Sequence, residues 1–245
     1  MGLTLLSAAR LFVDPVLALV FPTSCAACRE PMDHPRSGPL CDGCWGSLPR
    51  HGSGVCGCGV PLLSPHTAVC GRCRRGLSPF ARGASLGPYH GALRVVIHEL
   101  KYRGRRRAAA QLAARLHREP RVRDVLGGAD VMVPVPLHPR RRRERGFNQA
   151  ELLAAELGRR AAVPVSSGAL VRRTDTSSQA GLTAARRRAN VAGAFAVRHR
   201  SRVAGRVIVL IDDVYTTGAT ARACAGALRA AGAAEVRLVT VARVD

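Results

Sequence analysis

The rhythm of hydrophobic and polar positions changes twice along this chain. Residues 3–21 form an apolar run interrupted by Arg10 and Asp14. The run reads as a buried or amphipathic helix, started or kinked by Pro15 and ended by Pro22. It lacks a basic start and is too short and broken for stable membrane insertion. Residues 25–80 show almost no periodicity and are rich in Cys, Gly and Pro. From about Ala81, helical and strand patterns alternate. Residues 93–100, 107–118 and 149–160 read as helices. Residues 131–136 read as a strand whose prolines take it out of the sheet. Residues 207–211 are consecutive apolar positions, mostly β-branched, as suits a parallel strand buried on both faces. A helix over 219–231 is stopped by Gly232, and 236–241 is the last strand. Strand, helix, strand in this order predicts a βαβ unit in an open α/β sheet.

The pattern divides the chain into a leader (1–24), a Cys-rich segment (25–80) and an α/β domain (81–245). A 47% hydrophobic content is enough to build a core, but aromatics are only 4%. Val, Leu, Ala and Ile must therefore supply that core. The formal net charge is +22, and Lys101 is the only basic side chain that is not arginine (histidine aside). Such a charge favours phosphate-bearing partners, either a sugar phosphate or a nucleic acid.

Eight of the nine cysteines lie between Cys25 and Cys73. Their order is Cys25-x2-Cys28, Cys41-x2-Cys44, Cys56-x-Cys58 and Cys70-x2-Cys73. Close pairs suit metal chelation in a reducing, cytoplasmic setting better than the disulfides of a secreted chain. Paired in order, Cys25, Cys28, Cys41 and Cys44 hold one ion, and Cys56, Cys58, Cys70 and Cys73 hold a second. Four thiolates favour zinc; an iron–sulfur site is the other metal reading. A segment with no core of its own needs such a staple. The single-residue gap at Cys56-x-Cys58 departs from the usual spacing. His34, His51 and His66 read as bystanders, and Cys224 as a small buried hydrophobe.

The sharpest signal follows the 207–211 strand: Asp212-Asp213-Val214-Tyr215-Thr216-Thr217-Gly218-Ala219-Thr220. Two carboxylates end the strand, and a loop of hydroxyls and glycine leads into a helix. Ligands of open α/β sheets bind at the carboxyl ends of strands. A helix N-terminus there attracts phosphate through unpaired N–H groups and the macrodipole. Adjacent carboxylates suit the vicinal hydroxyls of a ribose.

This run resembles the phosphoribosyl-pyrophosphate signature of type I phosphoribosyltransferases. The stretch from Pro134 to Arg140 narrows the likeness, with Arg143, Arg145-Gly146-Phe147-Asn148-Gln149-Ala150 and Lys101-Tyr102-Arg103-Gly104. Together with the Cys-rich front, these resemble the ComF/GntX-like family, in which a double zinc ribbon precedes the transferase domain. The resemblance implies a type I phosphoribosyltransferase-like open parallel sheet flanked by helices, with a small N-terminal zinc-ribbon module. It further implies that Asp212 and Asp213 hold ribose, and that Thr216, Thr217, Gly218, Ala219 and Thr220 hold the 5-phosphate. Leu137 and His138 would frame pyrophosphate in a basic loop with Arg140. Arg172, Arg173 and Gln179 would belong to a long loop that closes over the site. Asn148 reads as a helix cap.

Two functions follow from the resemblance. One is an enzyme that transfers a phosphoribosyl group from phosphoribosyl pyrophosphate, with Mg2+ on the phosphates. The other is a non-enzymatic competence protein that binds nucleic acid and uses the pocket as a ligand sensor. The resemblance implies a link to DNA uptake and natural transformation, with single-stranded DNA and other competence proteins as partners. The motif does not encode an acceptor.

Overall fold

A computed structural model describes residues 24–32, 38–52, 54–62, 64, 66–173 and 193–244. The expected leader helix, His34 and the stretch 174–192 with Gln179 lie outside the described residues. In chain order the described elements are α1 (Asp42–Gly46), α2 (Gly71–Arg74), β1 (Gly83–Pro88), α3 (Gly91–Tyr102), α4 (Arg107–Arg118), α5 (Pro120–Leu126), β2 (Val131–Pro134), α6 (Pro139–Arg145), α7 (Gln149–Ala161), β3 (Leu170–Arg172), β4 (Phe195–Val197), β5 (Val207–Tyr215), α8 (Ala219–Ala230) and β6 (Glu235–Arg243). Among them no helix is long and apolar enough to cross a membrane.

The described residues form two compact units. One holds the residues up to Pro49 together with His90–Ala108; the other holds Arg50–Tyr89 and everything from Ala109 onward. In the first unit, α3 turns Leu93, Val96, Ile97 and Leu100 inward. That i, i+3, i+4, i+7 stripe is the one its sequence predicts.

The second unit is built on a parallel sheet of order β1-β6-β5-β2. Strand alternation sorts its side chains onto two faces. Val131, Val133, Ile208, Leu210, Val236 and Leu238 share a core with Ala221, Cys224, Ala225 and Leu228 of α8. Met132 turns the other way, toward α7, which packs on β2 and β5. Helices therefore cover both faces, which is why β5 is apolar without alternation.

Two local expectations are corrected. The strand that carries the carboxylates does not end at Ile211. β5 runs through Asp212 and Asp213 to Tyr215, because β6 stays paired with it (Asp212↔Thr240, Val214↔Ala242, Tyr215↔Arg243). Only the β2 side stops early, at Pro134 opposite Ile211. The basic stretch after Pro136 is also no open loop. Pro139–Arg145 is a helix, with His138 as N-cap, Pro at the first turn and Gly146 ending it in the left-handed region (φ 75°). Arginine is a good helix former, and Pro then Gly bracket the element as helix ends prefer.

Candidate functional site

β5 carries Asp212 and Asp213 to the carboxyl edge of the sheet, where Asp213 is buried and Asp212 half-buried. The Asp213 N–H donates to Asp212 Oδ1 (2.8 Å), which fixes that carboxylate. Beyond Tyr215 the chain turns through Thr216 and Thr217 to Gly218, the N-cap of α8. Gly218 has φ 70° and, being glycine, offers no side chain to cap the helix. The first-turn N–H groups of α8 therefore face outward beside the loop, as an anion cradle requires. Thr217 Oγ1 is buried and has no hydrogen-bond partner among the described residues. A buried hydroxyl left in that state costs stability unless a ligand engages it.

Sequence reasoning missed the residues that shape this loop. Arg222, one turn into α8, donates to the Thr217 carbonyl (2.6 Å) and lies 3.5 Å from Tyr215 Oη. Tyr215 fills the space beneath Gly218: a Cβ at position 218 would meet its Oη at 2.0 Å. Phe80 meets the Tyr215 ring edge-on (6.4 Å), and the Arg243 guanidinium lies over its face (4.1 Å). An Arg four residues after the helix-capping glycine is a faint local signal for Arg222. Nothing local points to Tyr215 or Arg243.

The other candidates flank this edge. The Val135 N–H donates to the Ile211 carbonyl (2.9 Å), so the Leu137–His138 segment leaves the sheet beside Asp212. Asn148 is buried, caps α7 through Ala150 N (3.0 Å) and donates to the Val135 carbonyl (3.0 Å). That second bond pins the end of β2. His138 spends its Nδ1 on the Arg140 N–H (3.3 Å), and Arg140 pairs on the surface with Glu144 (2.9 Å). Leu137, Arg172 and Arg173 line a cleft of about 570 Å3 together with Arg142, Glu151 and Arg198. Neither carboxylate of β5 nor the Thr216–Thr220 stretch lines it. Burial pushes the Cys224 thiol well up, Asp212 pushes it further and Arg172 opposes. Cys224 is thus an un-ionised core residue, as its surroundings in the sequence suggested.

The eight clustered cysteines are free thiols and converge in two groups: Cys25, Cys28, Cys41 and Cys44, then Cys56, Cys58, Cys70 and Cys73. Within each group the sulfurs lie within 4.8 Å of one another. The Cys28–Cys41 and Cys58–Cys70 sulfurs are 3.7 and 3.6 Å apart. Tetrahedral zinc, with Zn–S near 2.3 Å, asks for about 3.8 Å. The second pair in each group begins at a helix N-cap, Cys41 of α1 and Cys70 of α2. Burial opposes ionisation of Cys25, but N–H donors from Cys28, Cys41 and Ala27 outweigh it and hold the thiol down at about 6. Cys70 is held at about 7, where burial loses to the Cys73 N–H and neighbouring thiols. Each group thus offers one thiolate near neutral pH, the form that binds metal. Both groups fit structural zinc, including the Cys56-x-Cys58 pair. His51 is no ligand; its Nε2 bonds Ser85 Oγ (2.7 Å).

Comparison with known proteins agrees with both halves. The double zinc ribbon domain matches residues 16–74, and the phosphoribosyl transferase domain matches residues 144–245. The chain is 34% identical to the DNA utilization protein YhgH of Salmonella typhimurium, over 92% of this chain and 99% of that one. It is 29% identical to competence protein F of Haemophilus influenzae, over 89% and 96% of the two chains. Among solved structures, it resembles a B. subtilis glutamine phosphoribosylpyrophosphate amidotransferase complexed with ADP and GMP. That likeness has 24% identity and a TM-score of 0.38, and spans 55% of this chain and 26% of that one. With its paired cysteine clusters and its transferase-type sheet, the chain belongs to the ComF/GntX-like family.

Proposed function

We propose that the chain binds phosphoribosyl pyrophosphate, or a related ribose 5-phosphate, at the carboxyl edge of β5, and that this pocket serves DNA uptake. The observation that carries the reading is the buried Thr217 hydroxyl with no partner among the described residues, at the uncapped N-terminus of α8. In this reading the 5-phosphate accepts hydrogen bonds from Thr217 and the first-turn N–H groups. Asp212 and Asp213 accept from the ribose hydroxyls, and the Leu137–His138 segment, which leaves the sheet beside Asp212, faces the pyrophosphate. The carboxylates at this edge are the hard oxygen donors that Mg2+ takes, and Mg2+ would offset charge on the phosphates. If a phosphoribosyl group is transferred, the protein's part is to position the reactants and to stabilise positive charge developing on the ribose. The domain assignment supports the pocket, and the names of the Haemophilus and Salmonella relatives support its place in DNA handling. Two clusters of free thiols suit a reducing, cytoplasmic setting.

Calorimetric titration with phosphoribosyl pyrophosphate in Mg2+ tests the reading. Asp212→Asn keeps the shape of the side chain and removes its charge. It should cost roughly 1.5–3 kcal/mol, or about one to two decades of affinity. Circular dichroism should be unchanged, because Asp212 is only half-buried. Wild-type affinity in folded Asp212→Asn would place the ligand elsewhere.

A second reading, nucleic-acid binding without turnover, draws on one surface. Arg103, Arg105, Arg106 and Arg107 are all exposed, beside Tyr102, which is 64% exposed. Cations next to an accessible ring are what single strands use for phosphate contact and base stacking. Affinity for an oligo-dT strand should fall steeply between 50 and 200 mM salt, by about 10-fold or more for each few phosphates contacted. Salt-independent binding would set this reading aside.

A further inference from the structure

We infer that Arg243 is a positioning residue that ties the second cysteine knuckle to the Thr216–Gly218 loop, so that metal in the Cys56/Cys58/Cys70/Cys73 site controls how tightly that loop holds its ligand. The inference rests on the phosphate reading of the loop given above.

The knuckle and the sheet meet backbone to backbone. Gly83 N–H, on β1, donates to the Gly57 carbonyl (2.9 Å). A Cβ on Gly83 would sit 2.4 Å from the Cys58 carbonyl oxygen, and one on Gly59 would sit 2.9 Å from the Gly83 carbonyl. Gly59 also has φ 84°, which other residues rarely adopt. No side chain cushions the contact, so a shift in the knuckle is passed on to the strand. The knuckle is itself a tight turn, with Gly59 N–H on the Cys56 carbonyl (2.7 Å) and Cys56 N–H on the Val60 carbonyl (2.8 Å). Chelation of four thiolates fixes that turn, and without metal the constraint is lost.

Arg243 reads the position of the turn. Its Nη1 donates to the Gly59 carbonyl (3.1 Å), although the two residues are 184 positions apart in the chain. The same guanidinium lies over the Tyr215 ring (4.1 Å), a cation–π contact. Both residues are held in register, because Tyr215 and Arg243 pair across β5 and β6. Tyr215 then sets the loop: its hydroxyl end occupies the space where Gly218 lacks a Cβ, and Arg222 bridges from that hydroxyl to the Thr217 carbonyl. The route from metal to loop is therefore short and made of discrete contacts, the kind of network that can carry coupling between sites. Arg243 touches no reacting group. It acts through Tyr215.

The test is a two-by-two comparison on the full chain. Cys73→Ser should lower zinc content by one ion per chain, and Arg243→Met should leave it unchanged. By calorimetry with ribose 5-phosphate as probe, each variant should bind about tenfold more weakly than wild type. The double variant should bind no worse than either single, because both cut the same connection. Arg243→Lys, which keeps a cation over the ring, should recover part of the loss, and it serves in place of Arg243→Met if that variant fails to fold. Hydrogen exchange of the amides at 215–220 supplies a readout that needs no ligand. Exchange there should quicken in both single variants. Losses that multiply in the double variant, or exchange that stays at the wild-type rate when zinc is lost, would overturn the coupling. Quickened exchange in both single variants, together with a wild-type protein that ignores both ribose 5-phosphate and phosphoribosyl pyrophosphate, would instead overturn the ligand reading and leave the coupling standing.

Discussion

Gly218→Ala should weaken the proposed phosphoribosyl pyrophosphate binding by about thirtyfold or more, because backbone strain and overpacking of roughly 2–5 kcal/mol together fall on the loop. The new methyl carbon would lie 2.0 Å from Tyr215 Oη and 2.1 Å from Cζ, so either the ring or the loop must move. The backbone must also hold φ 70° with a side chain attached, which costs roughly 1–2 kcal/mol. Overpacking against the ring adds about 1–3 kcal/mol. Both costs fall on the segment that presents Thr217 and the α8 N-terminus, so binding should suffer more than folding. Gly226→Ala in the same helix is the control. Among the described residues nothing lies within 4 Å of its Cβ position, and replacing a mid-helix glycine should stabilise by about 0.5–1 kcal/mol. Calorimetry and urea titration of the two variants separate the effects. Full affinity in Gly218→Ala would mean that this loop is not the anion cradle.

The second large effect is on stability. Arg237→Ala should destabilise the sheet unit by about 3 kcal/mol, at the lower end for a broken buried ion pair because Glu235 keeps some solvent. Arg237 is buried in β6, with its Nε on Glu235 (2.5 Å). Its Nη1 caps the end of α5 through the carbonyls of Val125 (2.9 Å) and Gly127 (2.6 Å). Truncation leaves those carbonyls without their donor and opens a cavity as well. The melting temperature should fall by roughly 6–12 °C. Arg237→Met refills most of the volume but not the hydrogen bonds, and should recover only part of the loss. A melting temperature within a degree or two of wild type for Arg237→Ala would show that α5 is anchored by other means.

Arg237 also illustrates what the sequence made legible. The 236–241 run reads as a strand despite its arginine, because the apolar positions around it outweigh one polar residue. That a helix end waits for the arginine, 110 residues earlier, leaves no local trace. The same division holds at the site. The carboxylates, the hydroxyl loop and the glycine are contiguous, so their chemistry is readable in one pass. How far β5 extends is not, because the ladder with β6 depends on backbone groups and ignores the identity of Asp212 and Asp213. Strand β1, with the sequence GASLGP, shows no β-branched pattern at all; it is a strand because β6 supplies a partner. The arginine run at 140–145 looks like solvated loop by charge, yet His138, Pro139 and Gly146 spell both ends of a helix. Reading the caps before the charge would have found it. The eight cysteines were legible by spacing alone, since chelating pairs need only a turn to work.

The sheet ends at β1, and an outermost strand is a hazard. Its unpaired backbone groups offer a template on which a second chain can add. Along a parallel ladder neighbouring residues alternate sides: the Arg82 carbonyl accepts from Leu238 on the β6 side, so Gly83 turns its N–H outward. The Gly57 carbonyl meets that N–H, and the knuckle of the second zinc ribbon thus covers the start of the open edge. The cover holds only while the knuckle keeps its shape. Stripping the metal therefore uncovers a bare strand as well as loosening a loop, and a chelated preparation should be lost to aggregation at concentrations that the zinc-loaded protein tolerates.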